Sequence, residues 1–309
     1  MKVRIEAGGR IHLGIIDLDG GLGRIYGSIG LAIQEPKLIL EAESSKKTVV
    51  EAPEEVKPIV MHVISSLNHN AYINMVKHLP PHKGLGATTQ TILATAVALS
   101  KLYQLNLDVD NIAEMFGRGR ISKIGIEAFK TGGFIINAPI RKNVDEMSKT
   151  VMIQNFPEEW IVILAIPKGE VGYSEEYEKE VFKKLPRPPS YYADKICRLI
   201  LVKLIPALLD KELEEFGSAL EEIQKLVGEQ FKPIQGRVIA SRKSQEILEQ
   251  FRKYGLTGLG QSSWGPAVYG FTDSRKEAVE CIREIGEKFP DTTFIITRAR
   301  NSGAEIIRV

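Results

Sequence analysis

A chain of 309 residues, 43% hydrophobic and 26% charged, has the balance of a globular protein with a sizeable core, which excludes disorder and fibres and leaves room for two domains. Forty-one basic against 39 acidic residues give a formal charge of +2, so no global field calls for nucleic acid or an anionic membrane, and any anion site must be local. Cys197 and Cys281 lie outside any Cys/His cluster of metal-binding spacing, and no apolar run reaches the about 18 residues of a spanning helix, so a cytoplasmic protein with reduced thiols is expected.

The opening residues alternate like a strand and lack the apolar core of a signal peptide. Strands are expected over residues 3–7, 31–33, 37–43 and 48–51, then a helix over 56–67 and a strand over 71–78 that Pro80 and Pro81 end. From 88 to 103, Ile92, Leu93, Ala96, Val97, Leu99 and Leu102 recur at helical spacing and predict a buried helix. A helix over 109–116 leads into the basic, glycine-rich stretch 117–123, and a strand over 132–136 closes the first unit. The polar run 141–150 marks the boundary, giving domains 1–150 and 151–309. The second unit begins with an apolar strand over 160–166 and continues with helices near 175–184, 191–205, 213–227 and 241–254. It ends with a strand over 267–271, a helix over 276–289 and a strand over 293–297. Partly segregated strands and helices predict an α+β fold with helices laid on antiparallel sheet, and the apolar helices of the second half would supply a homodimer surface.

Three segments carry chemistry. In the first, Lys83-Gly84-Leu85-Gly86-Ala87 opens onto the buried helix, whose first turn is Thr88, Thr89, Gln90 and Thr91. Most helices answer the positive field of their N-terminus with Asp or Glu, but no carboxylate occurs between Glu55 and Asp108, so the field is left for an anion. Gly84 and Gly86 let the backbone approach phosphate, the threonine hydroxyls suit phosphate or hydrated Mg2+, and Lys83 adds charge; the alternative is a Thr88-capped helix behind ordinary turn glycines. The second segment, Gly8 to Arg24, holds six glycines in 17 residues and sets Asp17 and Asp19 near Arg10, His12 and Arg24. A carboxylate holds Mg2+ through water while arginine forks onto phosphate; the bland alternative is an irregular loop with surface ion pairs. The third, Gly258-Leu259-Gly260-Gln261-Ser262-Ser263-Trp264-Gly265-Pro266, fits a second wall of a phosphate pocket, with Trp264 either covering an aromatic ligand or packing the domain interface.

In order and spacing the three segments resemble the GHMP kinase superfamily of galactokinase, homoserine, mevalonate and phosphomevalonate kinases. Within it, Arg10-Ile11-His12-Leu13-Gly14-x-Ile16-Asp17-Leu18, Gly84-Leu85-Gly86-x-x-Thr89-Gln90, Gly117-Arg118-Gly119-Arg120 and Gly260-Gln261-Ser262-Ser263-Trp264-Gly265-Pro266 are similar to the β-ribofuranosylaminobenzene 5'-phosphate synthases of archaeal methanopterin biosynthesis. The resemblance covers nearly the whole chain and implies an N-terminal domain like ribosomal protein S5 domain 2 and a C-terminal ferredoxin-like domain. It implies condensation of phosphoribosyl pyrophosphate with 4-aminobenzoate or 4-hydroxybenzoate, with Mg2+, releasing pyrophosphate and CO2.

Where the superfamily's kinases place a catalytic aspartate in Ser-Gly-x-Asp, this chain has Ser122-Lys123-Ile124-Gly125, and glycine accepts no proton. The alternatives are an ATP-dependent small-molecule kinase working by positioning alone, and a non-catalytic relative that binds a phospholigand. The resemblance most specifically transfers Asp17 and Arg24 as contacts to phosphoribosyl pyrophosphate and metal, with Asp19 a second metal candidate. Arg118, Arg120 and Lys123 are candidates for the 5-phosphate or the benzoate carboxylate, against the alternative of a solvated basic turn. The paired acids of the usual phosphoribosyltransferases are not found, so binding of phosphoribosyl pyrophosphate rests on the resemblance.

Overall fold

The computed structural model describes residues 1–170, 172, 180–182 and 184–308. Its first two strands, β1 (Lys2–Asp17) and β2 (Arg24–Ser44), form one long antiparallel hairpin that scaffolds the N-terminal half. Val3, Ile5 and Ala7 point alternately inward, and from Ile11 to Leu13 the strand is buried almost continuously because both faces are covered. The glycine-rich segment, for which an irregular loop was the alternative reading, is strand as far as Asp17, with register shifts between Gly8 and Arg10 and between His12 and Gly14. Its glycines serve close approach: a Cβ on Gly8 would lie 2.1 Å from the Ile33 carbonyl oxygen.

The remaining N-terminal strands are β3 (Val49–Glu51), β4 (Ala71–Lys77), β5 (Phe134–Asn137), β6 (Ile140–Arg141) and β7 (Thr150–Gln154). Helices α1 (Lys57–Leu67), α2 (Ala87–Tyr103), α3 (Val109–Met115) and α4 (Ile124–Lys130) accompany them. The sheet runs β12-β1-β2-β4-β3, with β5 and β6 also on β2 and β7 on β5. Val3, Ile5, Leu38, Leu40 and Ile73 of this sheet bury α1 and α2.

The second half comprises β8 (Ile161–Pro167), α5 (Tyr191–Leu199), a π turn over Ile200–Leu204, α6 (Ile205–Asp210), α7 (Leu213–Gln235) and α8 (Arg242–Lys253). It continues with β9 (Thr257–Gln261), β10 (Val268–Thr272), α9 (Arg275–Lys288), β11 (Thr292–Arg298) and β12 (Glu305–Arg308). The order β11-β8-β10-β9, antiparallel throughout, with α8 before β9 and α9 between β10 and β11, is the ferredoxin-like βαββαβ arrangement. Ile161, Ile163 and Ala165 face α8 and α9. The alternate residues Val162, Leu164 and Ile166 face α5 to α7 and share one core with Ile11, Leu13, Phe134 and Phe216.

Several elements differ from expectation. The glycine-rich strand β9 was expected as loop, and helix α4 and strands β6, β7 and β12 were not expected. The helix expected over 175–184 lies mostly outside the described residues. The boundary at 150 also shifts in practice: β7 pairs with β5 and β12 with β1, so residues 151–154 and 305–308 complete the first sheet. No helix among the described residues is long and apolar enough to cross a membrane.

Candidate active site

The α2 N-terminus keeps the property read from its sequence. Gly86 caps it in the left-handed conformation at φ +84°, and no acidic residue occupies the first turn. The amides of residues 87–89 have no acceptor within the helix. The loop before α2 is clamped to the loop after β9. The Gly84 carbonyl accepts from both Arg10 Nη1 and Ser262 Oγ, while Ser262 Oγ accepts from the His12 amide at 2.9 Å. A Cβ on Gly84 would lie 2.1 Å from the Ser262 carbonyl oxygen, and one on Gly265 2.2 Å from the Lys83 carbonyl carbon, so the two backbones are in direct contact.

Beside this clamp lies a cleft with about 1180 Å³ of empty space, open solvent included. Its two walls differ. Arg10, Thr89, Arg118, Arg120, Ser122 and Gly125 form a cationic wall from the N-terminal half. Ile15, Val227, Phe231, Val238, Ile239 and Trp264 form an apolar one, five of the six from the C-terminal segment between α7 and β10 and Ile15 from β1. Among the described lining residues there are three arginines and one histidine and no carboxylate.

Arg118 Nη2 donates to Thr89 Oγ1 at 2.9 Å, fixing guanidinium and hydroxyl against each other. Arg120 is bound by Asp145 through Nε and, at 3.0 Å, Nη2, which neutralises much of its charge. His12 is 7% exposed, and burial first, then the Arg10 charge, pulls its imidazole down to about 3, so it is neutral at ordinary pH. Trp264 is packed by Phe231 at 4.1 Å and Phe182 at 5.9 Å between ring centroids. Gly125 lines the cleft, and a Cβ there would stand 3.3 Å from Thr89 Cγ2.

Of the residues singled out in the sequence, Arg10, His12, Thr89, Arg118, Arg120, Gln261, Ser263 and Trp264 meet in this cleft. The others stand around it. Lys83 donates to the Glu170 carbonyl oxygen, and burial lowers its ammonium below the ordinary lysine value. Gly84, Leu85 and Gly86 build the clamp, while Ala87 and Thr88 begin α2. Gln90 is fully buried and donates to the Gly125 carbonyl at 2.7 Å, tying α2 to α4. Ser262 is spent on the clamp. Gly260 gives room to Tyr269, whose hydroxyl oxygen would be 2.4 Å from an added Cβ.

Lys123 does not face the cleft as a free cation: its ammonium meets Asp110 at 2.9 Å and Glu127 at 3.0 Å. Burial alone would lower it, and these two bonds outweigh that and raise it. Asp17, Asp19 and Arg24 sit at the tip of the β1–β2 hairpin and do not line the cleft. Asp17 accepts from the Gly20 amide at 2.7 Å and Arg24 donates to the Pro139 carbonyl at 3.1 Å. The Arg187 guanidinium, 2.6 Å from Asp19, holds that carboxyl below the usual range. Among the described residues no group of three or more Asp, Glu, His or Cys side chains is placed to hold a metal.

Sequence reasoning missed the apolar wall and Gln224, which also lines the cleft. The Gln224 amide is buried, donating to the Leu13 carbonyl at 2.7 Å and accepting from the Gln261 amide at 2.9 Å. A glutamine between Ile223 and Val227 on a buried helix face was the available signal, because such a group needs a polar partner across an interface.

The model of the GHMP kinases N terminal domain matches residues 54–139, and that of the GHMP kinases C terminal domain residues 204–291. The chain is 34% identical to a beta-ribofuranosylphenol 5'-phosphate synthase of Methanocaldococcus jannaschii, over 98% of this chain and 99% of that protein. The enzymes of the same name from Archaeoglobus fulgidus and Methanothermobacter thermautotrophicus are 33% and 30% identical, over 98% and 100% of this chain and 99% of each relative. Among solved structures, a mevalonate kinase of Methanococcus jannaschii is similar at a TM-score of 0.68 and 16% identity, covering 96% of this chain and 98% of that one. A putative homoserine kinase of Listeria monocytogenes is similar at 0.67 and 19%, covering 99% and 100%. At such identities these structures speak for the fold.

Proposed function

The chain belongs to the beta-ribofuranosylphenol 5'-phosphate synthase family within the GHMP kinase superfamily, and from that membership we propose that it is a glycosyltransferase joining phosphoribosyl pyrophosphate to 4-hydroxybenzoate with release of pyrophosphate and CO2. The relatives' name specifies a phenol, which is what decarboxylation of the hydroxy acid leaves and decarboxylation of the amino acid does not. The reaction balances without a base on the enzyme. The bond from ribosyl C1 to the diphosphate breaks with its electron pair on pyrophosphate. The ring carbon bearing the carboxylate gives a π pair to C1, and the bond to CO2 breaks, its pair restoring the aromatic ring.

The observation that carries this reading is a cleft lined by Arg10 and Arg118 with no carboxylate among its described lining residues, and with Gly125, which the resemblance matches to the kinases' aspartate, in place of a base. A phosphoryl transfer to an alcohol would gain from a proton acceptor there; departure of a diphosphate needs only positive charge and donors held in place. Arg10, Arg118 and the Thr89 hydroxyl would supply those. The described side chains do not compose a metal site, so Mg2+ in this reading arrives as part of the substrate, on its diphosphate. Asp17 and Arg24, at the hairpin tip, are proposed as outer contacts to that metal-bound diphosphate.

The test is incubation of the protein with Mg2+, phosphoribosyl pyrophosphate and each carboxyl-labelled acid. Labelled CO2 and pyrophosphate in equal amounts, faster from the hydroxy than the amino acid, are expected. ADP formed from ATP and an alcohol, without CO2, would replace the synthase by a kinase. Asp17→Ala and Arg24→Ala are expected to lower turnover strongly with the unfolding midpoint nearly unchanged; wild-type turnover in either would remove that residue from the site.

A further inference from the structure

This inference rests on the synthase reading. Arg10, His12 and Gly14, alternate residues of β1, all line the cleft. A strand rises about 3.3 Å per residue, so successive members of this row are roughly 7 Å apart. The three mark different surroundings. Arg10 lies against the α2 N-terminus, its Cγ 3.1 Å from where a Cβ on Gly86 would stand. A Cβ on Gly14 would meet Ile223 and Val227 of α7 at 3.2 and 3.5 Å. Beyond Gly14 the wall continues through Ile15, Val227, Phe231 and Trp264, side chains that suit a flat aromatic ring and offer nothing to a phosphate.

His12 stands between these ends. It is more than nine-tenths buried; its backbone amide is held by Ser262 Oγ, while no hydrogen bond joins its imidazole to a described residue. The ring lines the cleft, so a ligand bound there can supply its hydrogen-bond partner.

We propose that the cleft is divided along β1, with the phosphoribosyl diphosphate on the arginine wall, the aromatic acid on the wall of Val227, Phe231 and Trp264, and the imidazole of His12 hydrogen-bonded to a ribose oxygen beside C1, where the two meet. As the diphosphate leaves, C1 becomes positively charged, and a cationic neighbour would oppose it; the burial that keeps His12 uncharged removes that opposition. The ring takes no proton and gives none, so the atom balance stated above is unchanged.

Two measurements test this. The first is kcat and KM for CO2 release by the wild type, His12→Phe and His12→Asn. His12→Phe is expected to lower kcat about tenfold or more, with KM for phosphoribosyl pyrophosphate within about threefold, and His12→Asn to recover part of the loss. The second is tryptophan fluorescence titrated with 4-hydroxybenzoate. Trp160, 2% exposed, lies in the shared core, so quenching is expected in the wild type and not in Trp264→Phe. Wild-type kcat in a folded His12→Phe, or undiminished quenching in Trp264→Phe, overturns the division. Should His12→Phe fail to fold, His12→Asn carries the same comparison, and an unchanged kcat there overturns the role of His12. Trp264-dependent quenching without CO2 release from the wild type would sink the synthase reading and leave the aromatic subsite standing. CO2 release with variants indistinguishable from wild type would sink this inference alone.

Discussion

Arg118 and His12 line the same cleft and are expected to fail in different ways. Arg118 donates to Thr89 and lines the cleft, and charge-assisted hydrogen bonds are worth about 1.5–3 kcal/mol each. Arg118→Ala is therefore expected to raise KM for phosphoribosyl pyrophosphate by about tenfold or more, and Arg118→Lys, which lacks the planar fork, to rescue little; steady-state kinetics at saturating acid measures both. His12 affects stability through protons. Its folded value of about 3 lies below the ordinary 6.5, so between those values the unfolded chain binds a proton that the native one refuses. Stability contributed by neutral His12 is full above pH 6.5 and declines as pH falls towards 3, at up to ~1.4 kcal/mol per pH unit. Urea midpoints from pH 7 to pH 4 should fall less steeply in His12→Asn than in the wild type; parallel curves would refute the assignment.

At the level of elements, the clamp between the α2 loop and the β9–β10 loop makes a distinct demand on Gly84. Its φ of +80° suits glycine, and its missing Cβ is where the Ser262 carbonyl passes. Gly84→Ala is expected to cost at least about 1–3 kcal/mol and lower the melting midpoint by several degrees, read by calorimetry, and to impair the arginine wall by unseating Arg10. This clamp also shows what a sequence displays and what it hides. The α2 helix and the uncompensated charge at its start were legible because periodicity and the absence of acids are local properties. Strand β9 was not, since Thr257, Gly258 and Gly260 carry the composition of a turn. Gly260 is a glycine because Tyr269 crosses it, a contact no local pattern records. Lys123 was read as a ligand-facing cation for the same reason, its partners Asp110 and Glu127 being supplied by the folding of α3 against α4. The apolar wall comes from segments far apart in the chain, so only Trp264, set in a conspicuous motif, could be picked out.

For the whole molecule, the cut between residues 150 and 151 expected from composition is not a cut in the core. Phe216 of α7 packs edge-on against Phe134 of β5 at 6.2 Å and Phe156 at 5.5 Å between ring centroids, so aromatic side chains from both halves form one cluster. The protein should accordingly unfold in one calorimetric transition, with Phe216→Ala costing about 3–5 kcal/mol and shifting that transition without splitting it. Two resolved transitions, or native circular dichroism from an isolated 1–150 fragment, would contradict the shared core. Because α7 contributes both to this core and to one side of the cleft, the helix that carries the apolar wall is anchored by the same packing that holds the halves together.

The pairing of β12 with β1 bears on how the polypeptide is made. Synthesis proceeds from β1 towards β12, so the edge of β1 that β12 covers stays an open backbone rim while the roughly 300 residues between them are made. Crowded ribosomes would bring such rims together. A chaperone that shields extended backbone, or slow settling of the first sheet until residues 305–308 have emerged, is what this order of assembly demands of the cell.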